Sequence, residues 1–178
     1  VHFISIKLIA GLAFVTAVPL AKADWKVVEQ PNPLGPGKAV DVLQDGKPVW
    51  MGCDTGKQMH RDLGLWDSDL FDYAGVYGAD FSMDKAARLE YQQTSMTHAM
   101  TFTGVDVVDG IPRRWRVENS WDDKVGNKGF FLMNDSWFDE YMFEVAIEKK
   151  YLSPEMIAAL DEEPIVLAPW DPMGSLAR

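Results

Sequence analysis

The 178-residue chain contains one cysteine, Cys53. That excludes an intramolecular disulfide and any zinc site built on several thiolates. Histidine is nearly as scarce. His2, His60 and His98 are too few for a histidine-rich metal site. Cations are outnumbered, 17 Lys and Arg against 27 Asp and Glu, which gives a formal net charge of −10. An acidic surface repels phosphate backbones, so nucleic acid is not an expected partner. No apolar run is long enough for a transmembrane helix. Neither Ser95 nor Ser120 sits in a Gly-x-Ser-x-Gly nucleophile elbow. Asp67, Asp69 and Asp72 lack calcium-loop spacing and read as solvated surface.

What is present points to a globular fold. Hydrophobic residues make up 47% and aromatics 12%, with seven tryptophans. That suits one domain with thick aromatic packing or a ring-lined groove. Residues 1–23 hold Lys7 and Lys22 and no acid. Leu8 to Val18 has the length of a signal-peptide core, and Ala21-Lys22-Ala23 matches a small-x-small cleavage site. This stretch is either an export leader or an N-terminal segment unrelated to the domain. Residues 24–37 form a Pro/Gly-rich connector, because Pro31-Asn32-Pro33-Leu34-Gly35-Pro36-Gly37 continues neither helix nor sheet. The folded domain is expected over 38–178.

Within it, Lys38 to Gln44 reads as a short helix stopped by Asp45-Gly46. Pro48 to Cys53 reads as a buried strand. Asp54 to Ala79, punctuated by glycine, reads as a long loop with packed rings. Asp84 to Tyr91 gives one or two helical turns capped by Ser82 or Asp84. Met96 to Val108 and Arg113 to Glu118 are strand-like and flank the turn signal Asp109-Gly110. Gly126 to Gly129 is a second turn, before a strand at Phe130 to Met133. A helical turn follows from Trp137, then a strand at Phe143 to Ile147. Ser153-Pro154 opens a last helix. Residues 164–178, with three prolines, form an extended tail that should dock somewhere.

The hairpin brings His98 towards Asn119. A lone histidine is usually structural, and an asparagine after a strand usually caps a turn. Together they suit another role, in which a side-chain amide fixes an imidazole's tautomer and direction. Trp121 is placed to shield that bond from water. Cys53 does not read as the matching nucleophile. It follows the apolar run Val49-Trp50-Met51-Gly52, and Asp54 beside it raises a thiol pKa.

Thr97-His98-Ala99-Met100 with Phe102-Thr103-Gly104-Val105, then Trp115 to Trp121, resemble the His and Asn blocks of papain-like cysteine peptidases. Val49 to Asp54, Asn127-Lys128-Gly129-Phe130, Trp137 to Tyr141, Glu163 to Leu167 and Trp170 to Gly174 are similar to the bleomycin hydrolase/aminopeptidase C family. The resemblance implies an α+β fold: the β-rich half of a papain-like peptidase, a twisted antiparallel sheet with short helices. It implies a cytoplasmic cysteine aminopeptidase acting on peptide substrates through a Cys-His-Asn site, without metal or organic cofactor, as a homo-hexamer. On that pattern His98 is the general base and Asn119 its orienter. Gly174, Ser175, Leu176 and Ala177 form the C-terminal specificity tail, with Arg178 one residue beyond its usual end. Three departures stand out. The family's cysteine and oxyanion-hole glutamine motif is absent, so the chain reads as a C-terminal fragment, inactive without the missing N-terminal half of the fold. Asp122 replaces the glycine usual after Asn-Ser-Trp, where a turn needs positive φ. Residues 1–37 do not resemble the family. The alternative is an exported, non-catalytic binding or assembly module that keeps half of the fold.

Overall fold

In the computed structural model, residues 3–9, 12–16, 27–29, 37–163, 166–172 and 174 are described. A ten-stranded sheet organises them. Its strands are β1 (Phe3–Ile9), β2 (Leu12–Thr16), β3 (Val27–Glu29), β4 (Val49–Cys53), β5 (Met59–His60), β6 (Leu65–Trp66), β7 (His98–Val108), β8 (Ile111–Glu118), β9 (Phe130–Asn134) and β10 (Met142–Glu148). They lie in the order β3-β2-β1-β10-β4-β7-β8-β9-β6-β5. Every pairing is antiparallel except β6 with β9. Five short α-helices accompany the sheet: α1 (Gly37–Gln44), α2 (Tyr73–Tyr77), α3 (Lys85–Glu90), α4 (Asp135–Tyr141) and α5 (Pro154–Ala159). The α+β expectation holds.

The central hairpin follows from its sequence. Asp109 (φ 52°) and Gly110 (φ 80°) both take positive φ, as a tight two-residue hairpin turn requires. Alternation in β8 then puts Trp115 and Val117 inside and Arg114 and Arg116 outside. One face of the sheet is apolar across strands: Val49 pairs with Phe102, Met51 with Met100 and Trp115 with Met133, and all six are buried. Phe102, Trp115 and Phe138 stack with ring centroids 4.8–5.8 Å apart. Trp66, Trp115 and Trp137 therefore serve as packing, whereas Trp50 and Trp170 are exposed.

Helix α4 carries no basic residue in its last turn. Two of its last carbonyls, Asp139 O and Glu140 O, are satisfied from α3. The buried Lys85 ammonium donates to Asp139 O (2.7 Å) and Met142 O (2.5 Å). Arg88 donates to Glu140 O and pairs with the Glu140 carboxylate. Two cations on one helix thus cap the end of another. Asp84 caps α3 by accepting from Ala87 N–H, and Ser153 caps α5 by accepting from Met156 N–H.

The structure refines several of these expectations. Asp54 to Ala79 is not one loop, because it contributes β5, β6 and α2. Its rings are not uniformly packed either. Trp66 is buried, but Phe71, Tyr73 and Tyr77 are exposed. Most of the described tail residues are exposed. Val166 and Trp170 are 85% and 82% exposed, and turns bring Asp171 N–H to Ala168 O and Gly174 N–H to Asp171 O. Asp72 is exposed as expected and accepts from Gly75 N–H at the start of α2, but Asp67 is half-buried and accepts from the Asn134 side-chain amide and from Asp69 N–H. Three strands come from the expected leader and connector, β1 pairing with β10 from Phe3↔Glu148 to Lys7↔Glu144.

Candidate active site

The β7–β8 ladder closes with Thr101↔Glu118 at the end remote from its turn. His98 lies three residues before Thr101 and Asn119 one after Glu118. The chain therefore brings them together at the open mouth of the hairpin. His98 Nε2 and Asn119 Oδ1 are 2.9 Å apart. The amide's orientation is fixed independently, because Asn119 Oδ1 also accepts from Ser120 N–H at 2.8 Å. The atom facing the imidazole is thus an acceptor, and Nε2 must carry a proton. The neutral ring then has its lone pair on Nδ1. Asn119 N–H donates to Gly129 O at 3.1 Å, and the asparagine is only 9% exposed. Burial strengthens the bond to His98.

Trp121 stacks on His98 with centroids 5.2 Å apart at 29°. It meets Phe131 edge-on at 5.8 Å, and Phe131 stacks on Trp66 at 4.6 Å. Trp66 in turn packs on Trp137. A continuous line of rings thus holds the shield over the imidazole. The Arg61 guanidinium lies 5.4 Å from the Trp121 ring. Arg61 belongs to the β5–β6 connection, which is brought close by glycine. Gly64 and Gly126 both have positive φ, and a Cβ on Gly64 would lie 2.8 Å from Gly126 Cα.

Cys53 pairs in register with His98 on the apolar face. It is 0% exposed. Burial, and secondarily the Asp54 charge, push its thiol pKa far up. A thiolate is therefore strongly disfavoured there. Asp122 takes φ +103°, the conformation expected of a glycine position. Its carboxylate accepts from Lys124 N–H at 3.0 Å, which anchors the turn. Of the tail residues, Gly174 is exposed, and Ser175, Leu176 and Ala177 lie outside the described residues. Among the described residues no group of three or more His, Cys, Asp or Glu is placed to hold a metal ion. No helix among them is long and apolar enough to cross a membrane.

Sequence reading overlooked Arg61 and the structural part of Asp54. Arg61 carried no signal, because its approach to Trp121 depends on two glycine-tightened turns. Asp54 had one weak signal, a run of hydroxyl residues just ahead of His98 (Thr94, Ser95, Thr97).

The sequence matches the Peptidase C1-like family over residues 29–174. It is 50% identical to aminopeptidase C of Listeria monocytogenes over 139 residues, 78% of this chain and 32% of that protein. It is 48% identical to human bleomycin hydrolase over 140 residues, 76% of this chain and 31% of that protein. Its fold matches the crystal structure of PepW from Lactobacillus rhamnosis HN001, with a TM-score of 0.79 and 42% identity, covering 86% of this chain and 35% of that one. The chain thus spans about a third of the length of the curated relatives it matches. Matched over most of its length, and carrying a histidine and an asparagine in direct contact, the chain belongs to the Peptidase C1-like family, with the papain-like fold.

Proposed function

We propose that this chain supplies the base-bearing wall of a cysteine aminopeptidase, with the nucleophilic thiol coming from residues outside it. The observation that carries this reading is the His98–Asn119 bond beneath Trp121, with Nε2 protonated and Nδ1 free. His98 Nδ1 takes the proton of the incoming thiol, leaving a thiolate–imidazolium pair. The thiolate attacks the scissile carbonyl. The C–N bond breaks, and Nδ1 returns its proton to the departing amine. Water then gives a proton to Nδ1 and attacks the thioester. The acid leaves and the thiol regains its proton. Asn119 holds the ring throughout. Cys53 is structural in this reading, supported by its burial and raised pKa.

The rest of the proposal follows the family resemblance of the sequence. The substrates are peptides trimmed at their N-termini, the assembly is a hexamer, and the compartment is cytoplasmic. Residues 174–177 form the specificity tail, and the exposure of Val166 and Trp170 is consistent with a tail that docks outside this chain. The pairing of β1 with β10 supports residues 3–9 as part of the sheet.

A chimera tests the central assignment. The upstream two-thirds of the Listeria aminopeptidase C is joined to residues 38–178 of this chain. Thiol-dependent release of aminomethylcoumarin from peptide substrates is expected. His98→Ala should then lower kcat/KM by about 10²–10⁴-fold, the range of a lost general base. Asn119→Ala should lower it less. An active chimera indifferent to His98→Ala would overturn the assignment.

A further inference from the structure

Asp54 is a buried carboxylate that the proposed mechanism does not use. It is 4% exposed and directly follows Cys53, the register partner of His98. A carboxylate in that position is costly unless its oxygens are bonded. They meet the stretch leading into His98. Thr94 Oγ1–H donates to Oδ2 at 2.7 Å, Ser95 N–H lies 3.4 Å from Oδ2, and Thr97 Oγ1 lies 3.4 Å from Oδ1. The same two stretches are tied again by Thr97 N–H to Cys53 O at 2.9 Å and Thr55 N–H to Thr97 Oγ1 at 3.2 Å. Asp54 N–H also donates to Tyr141 O at 3.0 Å, anchoring the aspartate to the end of α4.

These bonds converge one residue before His98. On the other side, Asn119 is held by Gly129 O and its own bond to the ring. The imidazole thus has two supports. One reaches it through Asn119 and Trp121, the other through the backbone that Asp54 clamps. A 2.9 Å bond from a ring nitrogen tolerates little drift of the backbone that carries the ring.

We propose that Asp54 is a positioning residue for His98: its carboxylate fixes residues 94–97 so that the imidazole stays on Asn119 and under Trp121. The inference rests on reading His98 as the base, but its test does not require turnover.

The experiment measures hydrogen exchange of the His98 Nε2 proton by NMR in the full, uniformly ¹⁵N-labelled chain. The indole N–H of Trp115, bonded to Asp135 Oδ1 at 2.8 Å in the core, serves as internal control. Asp54→Ala should speed exchange at His98 by about tenfold or more, the loss of one ordinary hydrogen bond's protection, while Trp115 is unchanged. Asp54→Asn, which keeps an acceptor for Thr94, should restore most of the protection. If Asp54→Ala does not fold, Thr94→Val and Thr97→Val each remove one donor and should show the same selective effect. Unchanged His98 exchange in folded Asp54→Ala, or in both threonine variants, overturns the proposal. So does equal acceleration at His98 and Trp115 in every folded variant, which would mean general loosening. Failure of the base assignment would appear only in the chimera's turnover, so the two ideas fall separately.

Discussion

Two aromatic regions of the molecule behave in opposite ways. Around β7, β8, β9 and α4, the rings of Phe102, Trp115, Phe131, Trp137 and Phe138 are buried. Between Phe71 and Phe81, the rings of Phe71, Tyr73, Tyr77 and Phe81 are exposed. Composition alone does not separate them. Their neighbours do: the first set falls on the inward-facing positions of β7, β8 and β9 or on α4, within one core cluster. In the second set Tyr73 and Tyr77 share one face of α2, but among the described residues no element covers that face and the rings meet only one another. The buried region builds the support beneath His98, Asn119 and Trp121. The exposed one lies on and around a short helix, α2, with no buried residue.

Core truncation gives the largest contrast. Trp115→Ala should destabilise the chain by about 3–5 kcal/mol, as expected for an aromatic removed from a packed core. Tyr77→Ala should change stability by less than about 0.5 kcal/mol. Urea melts of both variants decide it, and similar losses would erase the distinction between the regions.

Next in size is the clamp that ties α4 to α3. Lys85→Met leaves two carbonyls without their donor, at a cost of about 1–3 kcal/mol. It also has a pH signature. Burial pulls Lys85 down to about 7, against the opposing pull of the Glu140 and Asp139 carboxylates. In the unfolded chain lysine titrates near its ordinary value of about 10.4. Between those values the unfolded state binds more protons, so this group's contribution to stability rises with pH above 7. Cys53, with its raised pKa, acts in the opposite sense once unfolded thiols begin to ionise. The difference between wild type and Lys85→Met, followed by urea melts across that window, isolates the lysine. It should widen as pH rises, and a difference independent of pH would contradict the buried, depressed lysine.

The smallest effect lies beside the site. Asp122 holds φ +103°, where a non-glycine residue is strained. Asp122→Gly relieves that strain, partly offset by the greater entropy of glycine in the unfolded chain. Tm should rise by roughly 2–5 °C. A fall would mean that the bond to Lys124 N–H outweighs the strain.

The sequence showed those features whose causes are local. Asp109-Gly110, the alternation in β8, and the caps Asp84 and Ser153 each act within a few residues. His98 and Asn119 were legible for the same reason, since one hairpin joins them. What was hidden depends on distant partners. The two-residue β6 joins the sheet by pairing with Leu132 and Met133 of β9, about seventy residues ahead. Lys85 and Arg88 cap a helix about fifty residues away along the chain. Asp54 looked like a neighbour of the thiol, whereas its carboxylate reaches about forty residues ahead to Thr94.

The central claim is that this chain carries a base and its orienter but not the nucleophile they serve. Its most direct test is turnover of a peptide–aminomethylcoumarin substrate by the purified chain under reducing conditions, beside its Cys53→Ala variant. No thiol-dependent release is predicted from either. Robust release by the wild-type chain, abolished in Cys53→Ala, would contradict it and make the buried thiol the nucleophile.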